Sequence, residues 1–155
     1  MGKSLFSLML FFFALPLYSQ VTELNIEDVE IYNGNSTSVF DVVYRLKDGK
    51  LYKGDRPGYY SSDVIYTIKD NKIFKGNSTS VFDVVYRLKD GKLYKGDGSG
   101  YYSSDVIYTL KDGKVYKGNS TSVFDVVYRL KDGKIYKGDG LGYYSSDIVY
   151  TIKYD

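Results

Sequence analysis

Short runs of alternating apolar and polar residues recur along most of the chain. Residues 42–53 read Val-Val-Tyr-Arg-Leu-Lys-Asp-Gly-Lys-Leu-Tyr-Lys, a period-2 pattern rich in strand formers. The central Asp48-Gly49 pair suits a two-residue turn, because both residue types accept positive φ. The pattern therefore predicts a β-hairpin. The same pattern returns around Asp90-Gly91, Asp112-Gly113, Asp132-Gly133 and the weaker turn pair Asp70-Asn71.

The alternation also predicts which side chains share a face of each hairpin. A turn at 48–49 places Leu46 opposite Leu51 and Tyr44 opposite Lys53. We expect one face, the core, to carry Val42, Tyr44, Leu46 and Leu51. The hairpin that follows should repeat this face with Val64, Tyr66, Ile68 and Ile73. The other face is mixed and carries Val43, Arg45, Lys47, Lys50 and Tyr52, with Arg45 opposite Tyr52 as a cation–π pair.

The hairpins belong to a longer repeat. Residues 41–82 and 83–124 align without a gap and differ at six of 42 positions, and a shorter third copy begins at Asp125. Each copy holds two units. Type A opens at Asp41 and ends in a Gly-Tyr-Tyr-Ser-Ser loop, whereas type B opens at Asp63 and ends in an Asn-Ser-Thr-Ser-Val-Phe loop.

The two ends of the repeat region complement each other. Residues 31–40 match 73–82, the second half of a type B unit, and residues 147–153 match 63–69, its first half. Pairing Ile148–Ile152 with Val29–Gly34 would complete the unit and leave no open sheet edge. The sequence thus predicts an all-β fold, a closed ring or shallow barrel of six alternating A and B hairpins with approximate three-fold symmetry. The alternative is an open solenoid, which normally needs atypical polar end repeats.

The repeated pattern resembles a known family. Asp-x-x-Tyr-x-Ile/Leu-x-Asp-Gly-x-Ile/Leu-Tyr-x-Gly units that alternate with Gly-Asn-Ser-Thr-Ser loops look like the bacterial β-flower proteins. The resemblance covers about residues 28–155 and implies a shallow, symmetric barrel with hairpin petals. The shape of that barrel is similar to tubby-like and scramblase-like barrels, which implies lipid or membrane association by analogy of fold alone. The resemblance to the β-flower proteins supplies no functional residues to carry over to this chain.

The N-terminal residues predict export. Lys3 precedes the apolar stretch from Leu5 to Leu17, which is short for a spanning helix, so residues 1–19 are read as a signal peptide rather than a membrane anchor. Residues 20–27 form a short lead and 28–155 the repeat domain. The destination is the periplasm, the cell surface or the medium, with no transmembrane segment after cleavage.

The amino-acid composition narrows the classes of function that we expect. The chain has no His or Cys, which removes the commonest catalytic bases and nucleophiles, and its aspartates sit at turns and hairpin starts. We therefore expect no enzyme activity, no cofactor and no metal; the loop from Asp97 to Gly100 lacks the spaced ligands of a calcium site. The nearly balanced charge, 21 basic against 19 acidic residues, gives no argument for nucleic acid.

Repeated tyrosine pairs are the strongest candidates for binding. They offer stacking faces and hydroxyls on turns, unless one tyrosine of each pair packs under its loop. A set of three arginines would converge on an anion if it pointed to the axis, and would be solvated if it pointed outward. The candidates are Tyr59, Tyr60, Tyr101, Tyr102, Tyr143, Tyr144, Arg45, Arg87 and Arg129. The sequence leaves open a glycan, a lipid or an envelope protein as partner, a purely structural role, and the oligomeric state.

Overall fold

The computed structural model of the protein describes residues 28–54 and 58–154. The predicted signal peptide (1–19) and lead (20–27) lie outside the described residues. Twelve antiparallel strands form one closed barrel in which each strand pairs with its neighbours in sequence and β1 pairs with β12. The strands are β1 Val29–Asn33, β2 Val42–Lys47, β3 Lys50–Lys53, β4 Val64–Lys69, β5 Lys72–Lys75, β6 Val84–Lys89, β7 Lys92–Lys95, β8 Val106–Lys111, β9 Lys114–Lys117, β10 Val126–Lys131, β11 Lys134–Lys137 and β12 Ile148–Tyr154.

The junction between β1 and β12 closes the ring and confirms the prediction of a split unit. Ile31 lies opposite Ile152, as Ile73 lies opposite Ile68 in an intact type B hairpin. The hydroxyl of Thr151 donates to the carbonyl oxygen of Gly34 at 2.8 Å. The same bond, also 2.8 Å, joins the equivalent residues of the two intact type B units. The junction therefore has the hydrogen bonding of a continuous hairpin.

The two-residue turns adopt the left-handed conformation that the Asp-Gly pairs predicted. Asp48 has φ of 49° and Gly49 has φ of 71°. The Gly49 carbonyl oxygen accepts a hydrogen bond of 2.7 Å from the Ile68 amide of the next hairpin. A Cβ at Gly49 would stand 2.9 Å from the Ile68 carbonyl oxygen, so the turn also needs glycine for close approach. Each turn thus helps to join neighbouring hairpins.

A β-bulge at every junction between hairpins changes which side chains face the core, so the faces differ from those predicted. Ile31 pairs with Tyr44 while Tyr32 pairs with Val42, so Val43 has no partner across the ladder. Val43 consequently turns inward beside Tyr44 and packs against the core, and Val42 shares the outer face with Tyr32. The predicted placement of Val42 on the core face and Val43 outside was wrong. The same one-residue shift occurs at the other five junctions.

The barrel interior is a packed hydrophobic core rather than a channel at its mid-height. One apolar residue from the second strand of each hairpin is fully buried there, and each such side chain stabilises the fold by about 1.5–3 kcal/mol. These six residues are Ile31, Leu51, Ile73, Leu93, Val115 and Ile135.

Antiparallel connectivity sorts the connections to two ends of the barrel. The short turns lie at one end, here named the turn end. The six longer loops lie at the other, the loop end, and each finishes in a single 3₁₀ turn such as Val39–Asp41 or Ser61–Asp63. Loops after type A hairpins are named A loops (54–63, 96–105 and 138–147), and the others B loops (34–41, 76–83 and 118–125).

No helix in residues 28–54 or 58–154 is long and apolar enough to cross a bilayer.

Candidate functional site

The arginines of the type A hairpins fasten the A loops to the outside of the barrel. Arg87 lies opposite Tyr94 on the outer face and is only 2% exposed. Its Nε donates to the Gly96 carbonyl oxygen at 2.9 Å, and its Nη1 donates to the carbonyl oxygens of Gly98 and Gly100. The guanidinium group is therefore neither directed to the axis nor solvated, and it holds the loop through charge-assisted hydrogen bonds.

The other two arginines adopt related positions. Arg129 donates from Nε to Gly138 and from Nη1 to Gly140 and Gly142. Arg45 donates to the Gly58 carbonyl oxygen at 2.9 Å. Type B hairpins carry threonine at this position and make a single bond to the glycine that ends the hairpin. The arginine is thus what distinguishes the longer A loops from the B loops.

The first tyrosine of each pair packs under its A loop. Tyr101 meets Tyr94 edge to face with ring centroids 5.0 Å apart, and the guanidinium carbon of Arg87 lies 4.9 Å from the Tyr101 centroid. Tyr59 and Tyr143 repeat both contacts with their own neighbours. A cation–π contact of this kind adds about 0.5–2 kcal/mol. These three tyrosines nevertheless remain exposed, at 41–42%.

The second tyrosine of each pair is more exposed and lies on a glycine. A Cβ added to Gly100 would stand 2.5 Å from a ring carbon of Tyr102, so only glycine permits this ring position. Tyr60 and Tyr144 cover Gly58 and Gly142 in the same way. The Gly-Tyr-Tyr motif therefore presents one anchored and one outward tyrosine at the loop end.

The B loops project a phenylalanine that was not among the predicted site residues. The Ser78 hydroxyl donates to Asp83 at 2.5 Å, and the Ser80 hydroxyl accepts from the Phe82 amide. This network holds the 3₁₀ turn and leaves Phe82 pointing outward, 93% exposed. Phe40 and Phe124 are equivalent. The signal in the sequence was an apolar Val-Phe pair inside an otherwise polar loop.

Together, the exposed aromatic side chains form a crown at the loop end. Near-identical repeats around one axis place equivalent residues at the same height, so the three phenylalanines form one level set and the three tyrosines another. The crown consists of Phe40, Tyr60, Phe82, Tyr102, Phe124 and Tyr144. Valine precedes each of the three phenylalanines and is also exposed.

A groove on the outer face brings two of the predicted site residues together. It has a volume of about 490 Å³ and is lined by Arg129 and Tyr143, with Lys114, Val126 and Leu141 among its other walls. The Nη2 of Arg129 has no hydrogen-bond partner in the part of the chain that the structure describes. Binding by the predicted tyrosines and arginines remains a prediction, and this groove is where it would be tested.

Six tyrosines line the inner face near the loop end, one from the first strand of each hairpin. Five pack against the core from its edge and Tyr66 belongs to it. Burial raises the pKa of Tyr108, and for Tyr150 burial and the neighbouring tyrosines raise the pKa to about 12. The phenols of these two tyrosines therefore stay neutral at ordinary pH. The ring, named the tyrosine ring, consists of Tyr44, Tyr66, Tyr86, Tyr108, Tyr128 and Tyr150.

The closed barrel of six hairpins defines a class of symmetric repeat proteins, and comparison with known proteins identifies the family. A family described as 6-fold beta flower protein matches residues 18–101 and, in a second overlapping match, residues 59–155. The chain belongs to this beta flower family, as its repeat pattern had indicated. No match was found among curated proteins or solved structures. The fold is that of a structural repeat module.

Proposed function

We propose that this protein is a non-enzymatic module that docks its loop end on a lipid bilayer surface. The observation that carries the proposal is the crown, in which three nearly fully exposed phenylalanines alternate with three exposed tyrosines. Exposed apolar patches on monomeric soluble proteins often mark a surface that is used for association. Aromatic side chains are also the ones that favour the boundary between lipid and water.

The geometry of the crown favours a flat partner. The pseudo-three-fold axis places the three phenylalanines at one height and the three tyrosines at one height, so the members of each set can meet a flat surface together. A bilayer surface satisfies all of them at once. A sugar ring or a peptide would engage one or two loops and leave the others exposed.

The chemistry of the loops points the same way. Phenylalanine offers no hydrogen bond to a sugar hydroxyl, and Tyr101 and its equivalents already use one ring face on the barrel. Partial burial of three phenylalanines in lipid would contribute several kcal/mol in total, at about 1.5–3 kcal/mol for each fully buried side chain. Export by the predicted signal peptide would bring the barrel to an envelope or extracellular surface.

The chain itself supplies the variant that tests docking. Serine occupies the position of phenylalanine in the A loops, since Ser62 precedes Asp63 as Phe40 precedes Asp41. The triple change Phe40→Ser, Phe82→Ser and Phe124→Ser should abolish co-sedimentation with phospholipid vesicles while leaving the thermal unfolding transition in place. The converse change of Ser62, Ser104 and Ser146 to Phe should strengthen co-sedimentation.

A fluorescence measurement locates the contact. The chain contains no Trp, so Phe82→Trp introduces a single reporter in the crown. Its emission should shift to the blue when vesicles are added. Lys111→Trp, at the exposed turn end, should show no shift. Equal shifts for both reporters, or no co-sedimentation with vesicles of any composition, would contradict docking by the loop end; glycan binding lost on Tyr60→Ala would then favour the sugar alternative.

A further inference from the structure

A set of lysines stands beside the tyrosine ring. The second strand of five hairpins ends in a lysine that lies opposite a ring tyrosine, and directly opposed residues share one face of a sheet. These lysines are therefore on the inner face at the loop-end mouth of the barrel. The pairs are Tyr44–Lys53, Tyr66–Lys75, Tyr86–Lys95, Tyr108–Lys117 and Tyr128–Lys137. At the closing junction the sixth tyrosine, Tyr150, lies opposite Asn33 instead.

These five lysines, named the mouth lysines, lack a carboxylate partner within the described residues. The one ion pair between described residues joins Lys47 and Asp28, at the turn end. Aspartates do occur at the loop end. Asp83 and its type A equivalents accept hydrogen bonds from serines of their own loops, whereas Asp97 and Asp139 are exposed in the A loops. No described carboxylate lies within 4.0 Å of a mouth lysine, so these ammonium groups have no ion-pair partner among the described residues.

The phenols beside the mouth lysines are suited to an anion. Tyr86, Tyr108, Tyr128 and Tyr150 stay neutral because burial raises the pKa of each phenol. A neutral phenol can donate its proton in a hydrogen bond to an anionic oxygen. Below the phenols the core is closed, so a ligand would enter from the loop end only.

We propose that the loop-end mouth of the barrel binds a ligand with several phosphate groups, held by the mouth lysines and the phenols of the tyrosine ring. A multiply charged ligand relieves the mutual repulsion of several ammonium groups at once, which a single charge would do poorly. The phosphates belong either to a soluble polyphosphorylated molecule or to a polyphosphorylated lipid headgroup. This site lies inside the crown and does not require bilayer docking.

Titration calorimetry with tripolyphosphate at an ionic strength of about 0.15 M tests the site without any membrane. The changes Lys53→Gln, Lys95→Gln and Lys137→Gln should weaken binding by roughly ten-fold or more. The matched control changes Lys50, Lys92 and Lys134 to Gln, in the same strands but on the outer face, and should leave binding nearly unchanged. Equal weakening in both variants, or no binding by the unaltered chain, would overturn the proposal.

The closing junction provides a variant with the opposite effect. Asn33→Lys completes the set of six lysines and should tighten tripolyphosphate binding by roughly five-fold, since one additional lysine near an anionic surface contributes on the order of 1 kcal/mol. Unchanged or weaker binding by this variant would count against convergence of the lysines on one ligand.

Two further arms identify the source of the phosphates. One measures free inositol trisphosphate, and the other measures vesicles that carry the corresponding phosphorylated headgroup. If docking and mouth binding are separate, the triple phenylalanine-to-serine variant should lose binding to the vesicles but keep binding to free inositol trisphosphate. Loss of free-headgroup binding in that variant would contradict a mouth site that is independent of the crown.

Discussion

An engineered disulfide between β1 and β12 would measure ring closure directly. Glu30 lies opposite Lys153 in the ladder that closes the barrel. Opposed residues of antiparallel strands have Cα atoms about 4.5–5.5 Å apart, within the range that a disulfide spans. The neighbouring pair Ile31 and Ile152 belongs to the core and is unsuitable. Because the chain has no Cys, Glu30→Cys with Lys153→Cys would create one defined bond.

The expected stabilisation follows from the length of chain that the bond encloses. The bond would close a segment of 124 residues, from position 30 to position 153. Restricting the unfolded chain over that length stabilises the fold by about 5 kcal/mol. The equivalent pair in an intact type B hairpin is Lys69 and Lys72, which encloses four residues and should give about 2 kcal/mol. The difference, about 3 kcal/mol, is specific to ring closure.

Denaturant unfolding of each variant, oxidised and reduced, provides the assay. Comparing two redox states of one variant cancels the loss of the hydrogen bond that Tyr32 donates to Glu30. Thiol titration and mass measurement should show complete intramolecular bonding at both positions. Free thiols or disulfide-linked dimers at the β1–β12 junction would refute closure. A junction bond that stabilises no more than the Lys69–Lys72 control would refute the entropic reasoning.

Two further outcomes follow from the A loops and the tyrosine ring. Arg87→Met should destabilise the fold by about 3 kcal/mol in urea unfolding, because three loop carbonyls lose a charged donor; Arg87→Lys should recover little, since one ammonium cannot reproduce the guanidinium fork. A loss below about 0.5 kcal/mol would contradict this role. Because the pKa of Tyr150 is raised to about 12 from 10.0, its neutral form is favoured by folding. That stabilisation is complete below pH 10.0 and is lost as pH rises towards about 12, so Tyr150→Phe should reduce the alkaline decline of the melting temperature. A phenol that ionises in the folded protein at its ordinary pKa would refute it.

The architecture could be predicted from the sequence because the signals for it are local and repeated. Positive φ at Asp48 and Gly49 follows from the residue types, and the pairing of Leu46 with Leu51 follows from the turn length. The two ends of the repeat region each carry one half of a type B unit. This match indicated closure, because pairing of the two halves completes the unit. Each of these inferences uses only neighbours along the chain or the repetition of one pattern.

The candidate site was predicted less completely. The Gly-Tyr-Tyr loops were recognised, but their arginines were expected either to converge on the axis or to be solvated, whereas Arg87 lies beneath its own loop. Phe82 was not among the predicted site residues, and the arrangement of the B loop leaves it exposed. Exposure depends on what covers a residue, and the covering segment can lie anywhere along the chain.

What the sequence alone determined, therefore, is the hairpin, its turn, the alternation of two loop types and the number of units in the ring. The tertiary structure decided the registers between hairpins. There a bulge at Val43 exchanges the faces of two valines, because strands of different hairpins are aligned by closure of the barrel rather than by a short turn. The same closure brings residues such as Lys53 and Lys95, 42 positions apart, to one mouth. Convergence of that kind depends on the shape of the whole ring, which no single repeat contains.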